Sequence, residues 1–209
     1  MTWHRFSQLD RDVAVATVSA RTLNNIRVTY KILTQCAERG WHYRVSSNLF
    51  PLLTYNVANL KLTDYPDYTD IMAALADCAS VVRDKGVRIS CHPDQFNVLA
   101  SMGKPQVDKS IKELNHHGWL MDQLGGRRDY RCPINIHVNN TKGEPSEIAA
   151  RFMSNLAKCD ESVRSRLVVE NEDKGIWTPK LLLQHFDLPI TYDNLHHKCL
   201  PDGLSHSQA

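Results

Sequence analysis

Val87-Arg88-Ile89-Ser90-Cys91-His92-Pro93-Asp94-Gln95-Phe96 is the stretch on which the fold turns. Its first five residues are short, β-branched and preceded by Gly86, the pattern of a buried parallel strand. Pro93 cannot donate to a sheet ladder and biases His92 toward an extended conformation, so the strand ends there with an imidazole at its carboxyl end. In α/β folds that end is where ligands and chemistry gather.

The same design recurs on both sides of this stretch. Upstream, His42-Tyr43-Arg44-Val45-Ser46 predicts a strand running into Ser47-Asn48-Leu49-Phe50-Pro51. Downstream, Pro133 to Val138 predicts a strand ending on His137, Arg166 to Asn171 one ending on Glu170, and Pro189 to Asp193 one ending on a second carboxylate, with His196 three residues later. Between them lie helical periodicities. Leu23, Ile26, Tyr30, Leu33 and Ala37 share one face of a helix over about Ser19 to Arg39, which Gly40 ends; the small apolar patch at Val13 to Val18 has no assignment. Ile71, Leu75, Cys78 and Val82 mark a second helix starting near Tyr65-Pro66, with Asp64 as its cap. Val107, Ile111, Leu114, Met121 and Leu124 mark a third from about Pro105, closed by Gly125-Gly126. Pro145 opens a fourth, and Thr178-Pro179 a short fifth reaching Phe186.

Strand and helix alternating at this cadence predict parallel pairing through right-handed crossovers. An open doubly wound sheet concentrates ligand residues at one switch point, whereas here every strand from the second onward ends in a potential ligand. That favours an α/β TIM (β/α)8 barrel, whose strand ends converge on one mouth. A complete barrel runs to ~250 residues. The expectation is a single, incomplete barrel domain over residues 1–209 with about five to six βα units, lacking at least one unit before the first helix and about two after Ala209. Leu200 to Ala209 resembles the opening of a further helix, cut short.

With 209 residues, 42% of them hydrophobic, the chain has enough apolar side chains for one sizeable core. No run approaches the ~20 apolar residues of a membrane span, and Met1-Thr2-Trp3-His4-Arg5 does not begin a signal peptide, so a soluble cytoplasmic protein is expected. The six cysteines form no Cys-x-x-Cys pair and fall within apolar patterns, which predicts reduced core residues; Cys91, beside His92, is the one to watch. A net charge of +2 does not by itself point to nucleic acid.

His92, His137, Glu170, Asp193 and His196 form the candidate metal set, with imidazole and carboxylate ligands from four consecutive strand ends. Such mixed ligation suits Zn²⁺ or Mn²⁺, and a carboxylate shared by two ions is how a multi-metal site is assembled. Sites of that kind activate water and stabilise the attacking and leaving oxygens at phosphorus, so phosphodiester hydrolysis is the leading chemistry. His116-His117 fall on the polar side of their helix and are expected to be solvated. Arg127-Arg128 read as a surface turn with a phosphate contact as the alternative, and Glu172-Asp173-Lys174 as partners supporting Glu170.

Taken in order, Arg44-Val45-Ser46-Ser47-Asn48-Leu49-Phe50-Pro51, Ser90 to Phe96, Ile134-Asn135-Ile136-His137-Val138, Val169 to Lys174 and Tyr192-Asp193-Asn194-Leu195-His196-His197 resemble the successive motifs of the UV damage endonuclease family. The resemblance implies a TIM barrel with up to three metal ions, preferentially Mn²⁺, acting as a monomer on double-stranded DNA. It implies incision immediately 5′ of a UV photoproduct, leaving a 3′-hydroxyl, as a step of DNA repair. By motif, His92, His137 and Glu170 hold one ion, Glu170 bridges to a second that Asp193 also holds, and His196 belongs to the third; these residues carry catalysis. Gln95 and Phe96 match the pair that probes the duplex, and Ser46, Ser47 and Tyr55 fall in the segment expected to bind DNA, Tyr55 standing where the family usually has a histidine. Asn139-Asn140 stand where the family commonly has glycines, and the family's remaining ligands fall beyond the end of this chain.

Two other functions fit parts of the pattern. Sugar isomerases and epimerases also gather His, Glu and Asp around divalent ions in barrels, and a truncated, inactive module would bind DNA without cutting it.

Overall fold

The computed structural model describes residues 1–208, and the chain divides into two compact units. The first comprises Met1–Ser90 and Leu120–Arg127, the second Cys91–Trp119 and Arg128–Ala209 as the chain is divided.

In the first unit a short helix α1 (Trp3–Ser7) precedes a 29-residue helix, α2 (Arg11–Arg39). The Asp10 carboxylate caps α2 by accepting the N–H groups of Asp12 and Val13, and Gly40 closes it with a left-handed φ of 65°. The helix therefore begins eight residues earlier than its apolar face alone suggests, and the unassigned patch at Val13 to Val18 is helical. Ile26 and Leu33 of α2 are fully buried, as are Ile71 and Cys78 of α3 (Tyr68–Asp84), the helix against which α2 packs. The cap expected from Asp64 does not form: Asp67 stands at the N-cap and its side chain instead accepts Ser19 Oγ at 2.7 Å. Between α2 and α3 runs β1 (Tyr43–Val45), and the Tyr43 N–H donates to the Arg88 carbonyl just ahead of β2 (Ile89–Cys91).

The second unit takes up β2 at Cys91, whose N–H donates to the Pro133 carbonyl and which pairs in parallel with Ile134 of β3 (Ile134–Ile136). β3 pairs in parallel with β4 (Leu167–Glu170), and β4 with β5 (Ile190–Thr191). Strand order thus follows chain order, β1-β2-β3-β4-β5, as consecutive βα units require. This is the expected parallel α/β architecture of an incomplete barrel, with no pairing of the first and last strands among the described residues.

α4 (Lys104–Gln123) follows β2, α5 (Pro145–Leu156) and a single turn, α6 (Glu161–Arg164), follow β3, and α7 (Pro179–His185) follows β4. Thr178 caps α7 through its hydroxyl, which accepts the Leu181 N–H. Beneath α5 and α7, Phe186 meets Phe152 and Trp177 edge-on, with ring centroids 5.2 and 5.3 Å away. After β5 comes α8 (Asn194–Cys199). Residues 200–208 are irregular, with bends at Leu200 and Gly203 and a turn over 206–208, where a helix was expected, and Ala209 lies outside the described residues.

Five of the six cysteines are buried and all are free, whereas Cys199 is exposed, because it falls on the outer face of the unexpected α8. His117 is buried and His116 half-buried, so neither is solvated as expected. No described helix is long and apolar enough to cross a membrane.

Candidate metal centre

The site is built in the second unit from four strand ends. β4 is buried along its whole length, so Glu170 is delivered into low-dielectric surroundings with 6% of its surface exposed. A lone carboxylate there would be costly, and its two oxygens are answered separately. His92 Nε2 stands 3.2 Å and His137 Nε2 3.9 Å from Oε2, while His196 Nδ1 stands 3.7 Å from Oε1. Asn135, one residue back from Ile136 in β3, adds an amide hydrogen bond to Oε2.

Backbone carbonyls fix the imidazoles. His92 Nδ1 lies 2.9 Å from the Pro93 carbonyl and His196 Nδ1 2.8 Å from the Asn171 carbonyl, so in each ring that nitrogen carries the proton and Nε2 the lone pair. For His92 this aims a lone pair at a carboxylate oxygen 3.2 Å away. Such an arrangement is repulsive until a proton or a metal ion stands between the two atoms.

Burial pulls the Glu170 carboxyl upward, but the hydrogen bond that His92 Nε2 donates once it carries a proton, the neighbouring His137 and His92 and the Asn135 amide hold it, on balance, below the ordinary carboxylate range. His137 is depressed, chiefly by burial and then by the other two imidazoles, with Glu170 opposing. An ionised carboxylate thus faces an imidazole biased toward its neutral, ligating form.

Asp193 caps α8, its Oδ1 accepting the N–H groups of Leu195 and His196 at 2.8 and 2.9 Å. These hydrogen bonds, that of His196 first, hold its carboxyl below the usual range, and Oδ2 takes neither of them. Two groups of ligand atoms result, His92-His137-Glu170 and Glu170-Asp193-His196, the atoms of each lying within 4.8 Å of one another. Donors at ~2.1 Å from one ion are ~3.0–3.4 Å apart at octahedral to tetrahedral angles, so ligand atoms within 4.8 Å of one another close on an ion by moving inward. The donor chemistry and the lone pair of His92 both suit a divalent ion, and Glu170 belongs to both groups. The resemblance assigned His196 to a third ion; here it groups with Asp193.

Of the supporting residues foreseen, Glu172 is buried and accepts the Asn139 N–H at 2.7 Å, and burial pushes its carboxyl up to about 7. Asp173 and Lys174 are exposed. A cleft of about 370 Å³, lined among others by Gln95, His137, Glu172 and His196, opens beside the ligands. Gln95 is exposed and Phe96 has 65% of its surface exposed on the loop that follows His92. Ser46, Ser47 and Tyr55 belong to the first unit, where Ser46 Oγ accepts the Asn48 N–H and the Tyr55 ring lies 5.6 Å from that of Trp3.

Sequence reasoning missed Asn135 and Asn171. The signal for Asn135 is an amide alternating with isoleucines in a strand with no other polar side chain; Asn171 follows directly on Glu170 and is fully buried.

Comparison with known proteins identifies the family. A UV-damage endonuclease of Neurospora crassa is 30% identical over 181 residues, 84% of this chain and 27% of its own length. UV DNA damage endonucleases of Clostridium perfringens and Bacillus cereus strain Q1 are 25% and 28% identical, over 77% and 94% of this chain. The chain spans between about a quarter and three-fifths of the length of these relatives, from 27% to 61%. A crystal structure of SacUVDE superposes with a TM-score of 0.79 at 29% identity, covering 96% of this chain and 66% of that one. The family model of UV-endonuclease UvdE matches residues 1–209, and the chain belongs to that family.

Proposed function

We propose that the chain provides the metal centre and the duplex-probing loop of a DNA repair endonuclease, which hydrolyses the phosphodiester 5′ of a UV photoproduct in double-stranded DNA with the aid of Mn²⁺. The observation that carries this reading is the Glu170 carboxylate, whose two oxygens face separate sets of imidazoles and which is common to both ligand groups. A carboxylate so placed suits a pair of ions acting on one phosphate. Family membership favours the endonuclease over the sugar isomerase alternative.

Divalent ions would supply Lewis acidity at phosphorus and acidify the attacking water. His92, His137 and Glu170 would hold one, and Glu170, Asp193 and His196 the other. The carbonyls of Pro93 and Asn171 keep the Nε2 lone pairs of His92 and His196 available, and the Asn135 amide fixes the carboxylate plane. Gln95 and Phe96, outside the ligand set and exposed, offer a flat amide and a ring that fill the space of unstacked bases.

The test is Mn²⁺-dependent nicking of UV-irradiated duplex by the whole chain and by Glu170→Gln, with lesion binding measured in parallel. Nicking by the wild type that Glu170→Gln abolishes is the expected result, and nicking retained by the variant overturns the assignment. Lesion binding without incision at any Mn²⁺ concentration would replace it with the binding-module reading.

A further inference from the structure

The loop carrying Gln95 and Phe96 is exposed, yet its backbone is not left to solvent. Asn139 Nδ2 donates to the Gln95 carbonyl at 2.8 Å, and Gln106 Nε2 donates to the Phe96 carbonyl at 2.6 Å. Two consecutive peptide planes are thus held by side-chain amides from different elements, Asn139 from the segment following His137 and Gln106 from the first turns of α4. Within the loop, Phe96 N–H donates to Asp94 Oδ1, the Asn97 N–H and Nδ2 both donate to the Asp94 carbonyl, and Val98 N–H donates to Ser110 Oγ.

Asn139 makes its bond from an uncommon backbone conformation. Its φ is +51°, one of three positive values at non-glycine residues among the described residues, in the left-handed region where glycine is favoured and asparagine tolerated. Its N–H is held there by Glu172 Oε1 at 2.7 Å. A glycine at this position would keep that backbone bond at lower conformational cost and lose only the amide that reaches Gln95.

We propose that Asn139 and Gln106 are positioning residues that hold the Gln95–Phe96 loop as a preformed wedge, so that recognition of a distorted duplex does not have to order the loop first. The proposal rests on the duplex-probing role given to that loop above. Preorganisation of this kind strengthens binding by lowering the entropic cost of ordering, without adding a contact to the ligand.

The test separates the positioning role from the DNA-binding role. Hydrogen exchange of the whole chain, read at the amides of Phe96, Asn97 and Val98 without DNA, is expected to quicken several-fold in Asn139→Gly and in Gln106→Ala. In Mn²⁺ buffer, the dissociation constant for UV-irradiated duplex is expected to rise about three- to tenfold in either variant, the change that corresponds to losing one neutral hydrogen bond. Affinity for undamaged duplex should change less, and Mn²⁺ binding followed by calorimetry should not change, a pattern that general loosening of the fold would not give. Protection at residues 96–98 unchanged in both variants overturns the proposal. Quickened exchange with no loss of lesion affinity also overturns it, since the loop would then be held for some other reason. A wild-type chain that does not prefer damaged duplex removes the proposed function and with it the wedge, while the exchange data would still report whether the amides order the loop.

Discussion

Asn171 and Asp193 exchange two hydrogen bonds: the Asp193 N–H donates to Asn171 Oδ1 at 2.7 Å, and Asn171 Nδ2 donates to the Asp193 carbonyl at 3.0 Å. The pair clasps the ends of β4 and β5 just where the ladder stops, which places the cap of α8 in register with Glu170. The Asn171 carbonyl also orients His196. One side chain therefore sets the relation between the two halves of the second ligand group. Asn171→Ala should destabilise the chain by about 1–3 kcal/mol, because it strands the half-buried Asp193 N–H and removes a fully buried side chain, whereas the Asp193 carbonyl keeps the His197 N–H. It should also weaken Mn²⁺ binding about tenfold. Urea unfolding and calorimetric titration measure the two effects, and a variant with full stability and full affinity would remove the clasp from the account.

His116 provides a pH dependence that is independent of the ligands. Its ring stacks on Trp119 and lies beside His117, and burial first, then the neighbouring imidazole, depresses it from 6.5 to about 4, with Glu113 opposing. The folded state thus prefers the neutral ring. Below pH 6.5 the unfolded chain takes up a proton that the folded chain resists until about pH 4, so this stability is fully present above the first value and lost on descent to the second. The loss amounts to up to about 3 kcal/mol. Chemical denaturation across this range, compared with His116→Phe, should show a shallower decline in the variant; parallel curves would contradict the assignment.

Gly118 sits in the middle of α4, where replacing glycine by alanine ordinarily stabilises a helix by up to about 1 kcal/mol. Here a Cβ would fall 2.5 Å from Ser162 Oγ and 2.8 Å from Val163 Cγ2. Ser162 can rotate away, but Val163 is fully buried and its backbone nitrogen lies at 3.2 Å. Overpacking should therefore prevail, with Gly118→Ala destabilised by about 1–3 kcal/mol. A thermal melt decides the sign.

Much of this was legible in the sequence because it depends on local rules. Short β-branched runs bounded by proline or glycine marked β2 and its neighbours, and a potential ligand at each carboxyl end from β2 onward marked the candidate site before any geometry was known. What escaped depends on partners distant in sequence. Asn135 matters because parallel pairing sets β3 beside β4 and its Glu170; Asn171, because β5 ends beside β4. His117 was misplaced because the apolar stripe of α4 widens toward its carboxyl end, so a polar residue falls on the packed side. The early start of α2 escaped because the run Val13 to Val18 alternates β-branched and small residues and offers only Ala14 and Val18 to the packed face, while the Asp10 side chain fixes where the helix begins.

The metal itself should be visible in stability before any DNA is added. Without an ion, Glu170 and the lone pair of His92 face each other across 3.2 Å, an arrangement tolerated only with a proton between them. An ion that binds the folded chain and not the unfolded one stabilises it by about 2.7 kcal/mol at a hundredfold excess over its dissociation constant. For a chain of this size that raises the melting temperature by about 5–11 °C. Mn²⁺ added to chelator-treated protein near neutral pH should produce this shift, and EDTA should reverse it. In Glu170→Gln the carboxylate common to both groups is gone but its shape remains, so the metal-dependent increment should vanish while the metal-free melting temperature stays the same or falls, since the folded chain holds that carboxyl below its ordinary range and so favours its ionised form. An equal increment in wild type and variant would place the ion elsewhere on the chain and separate Glu170 from metal binding altogether.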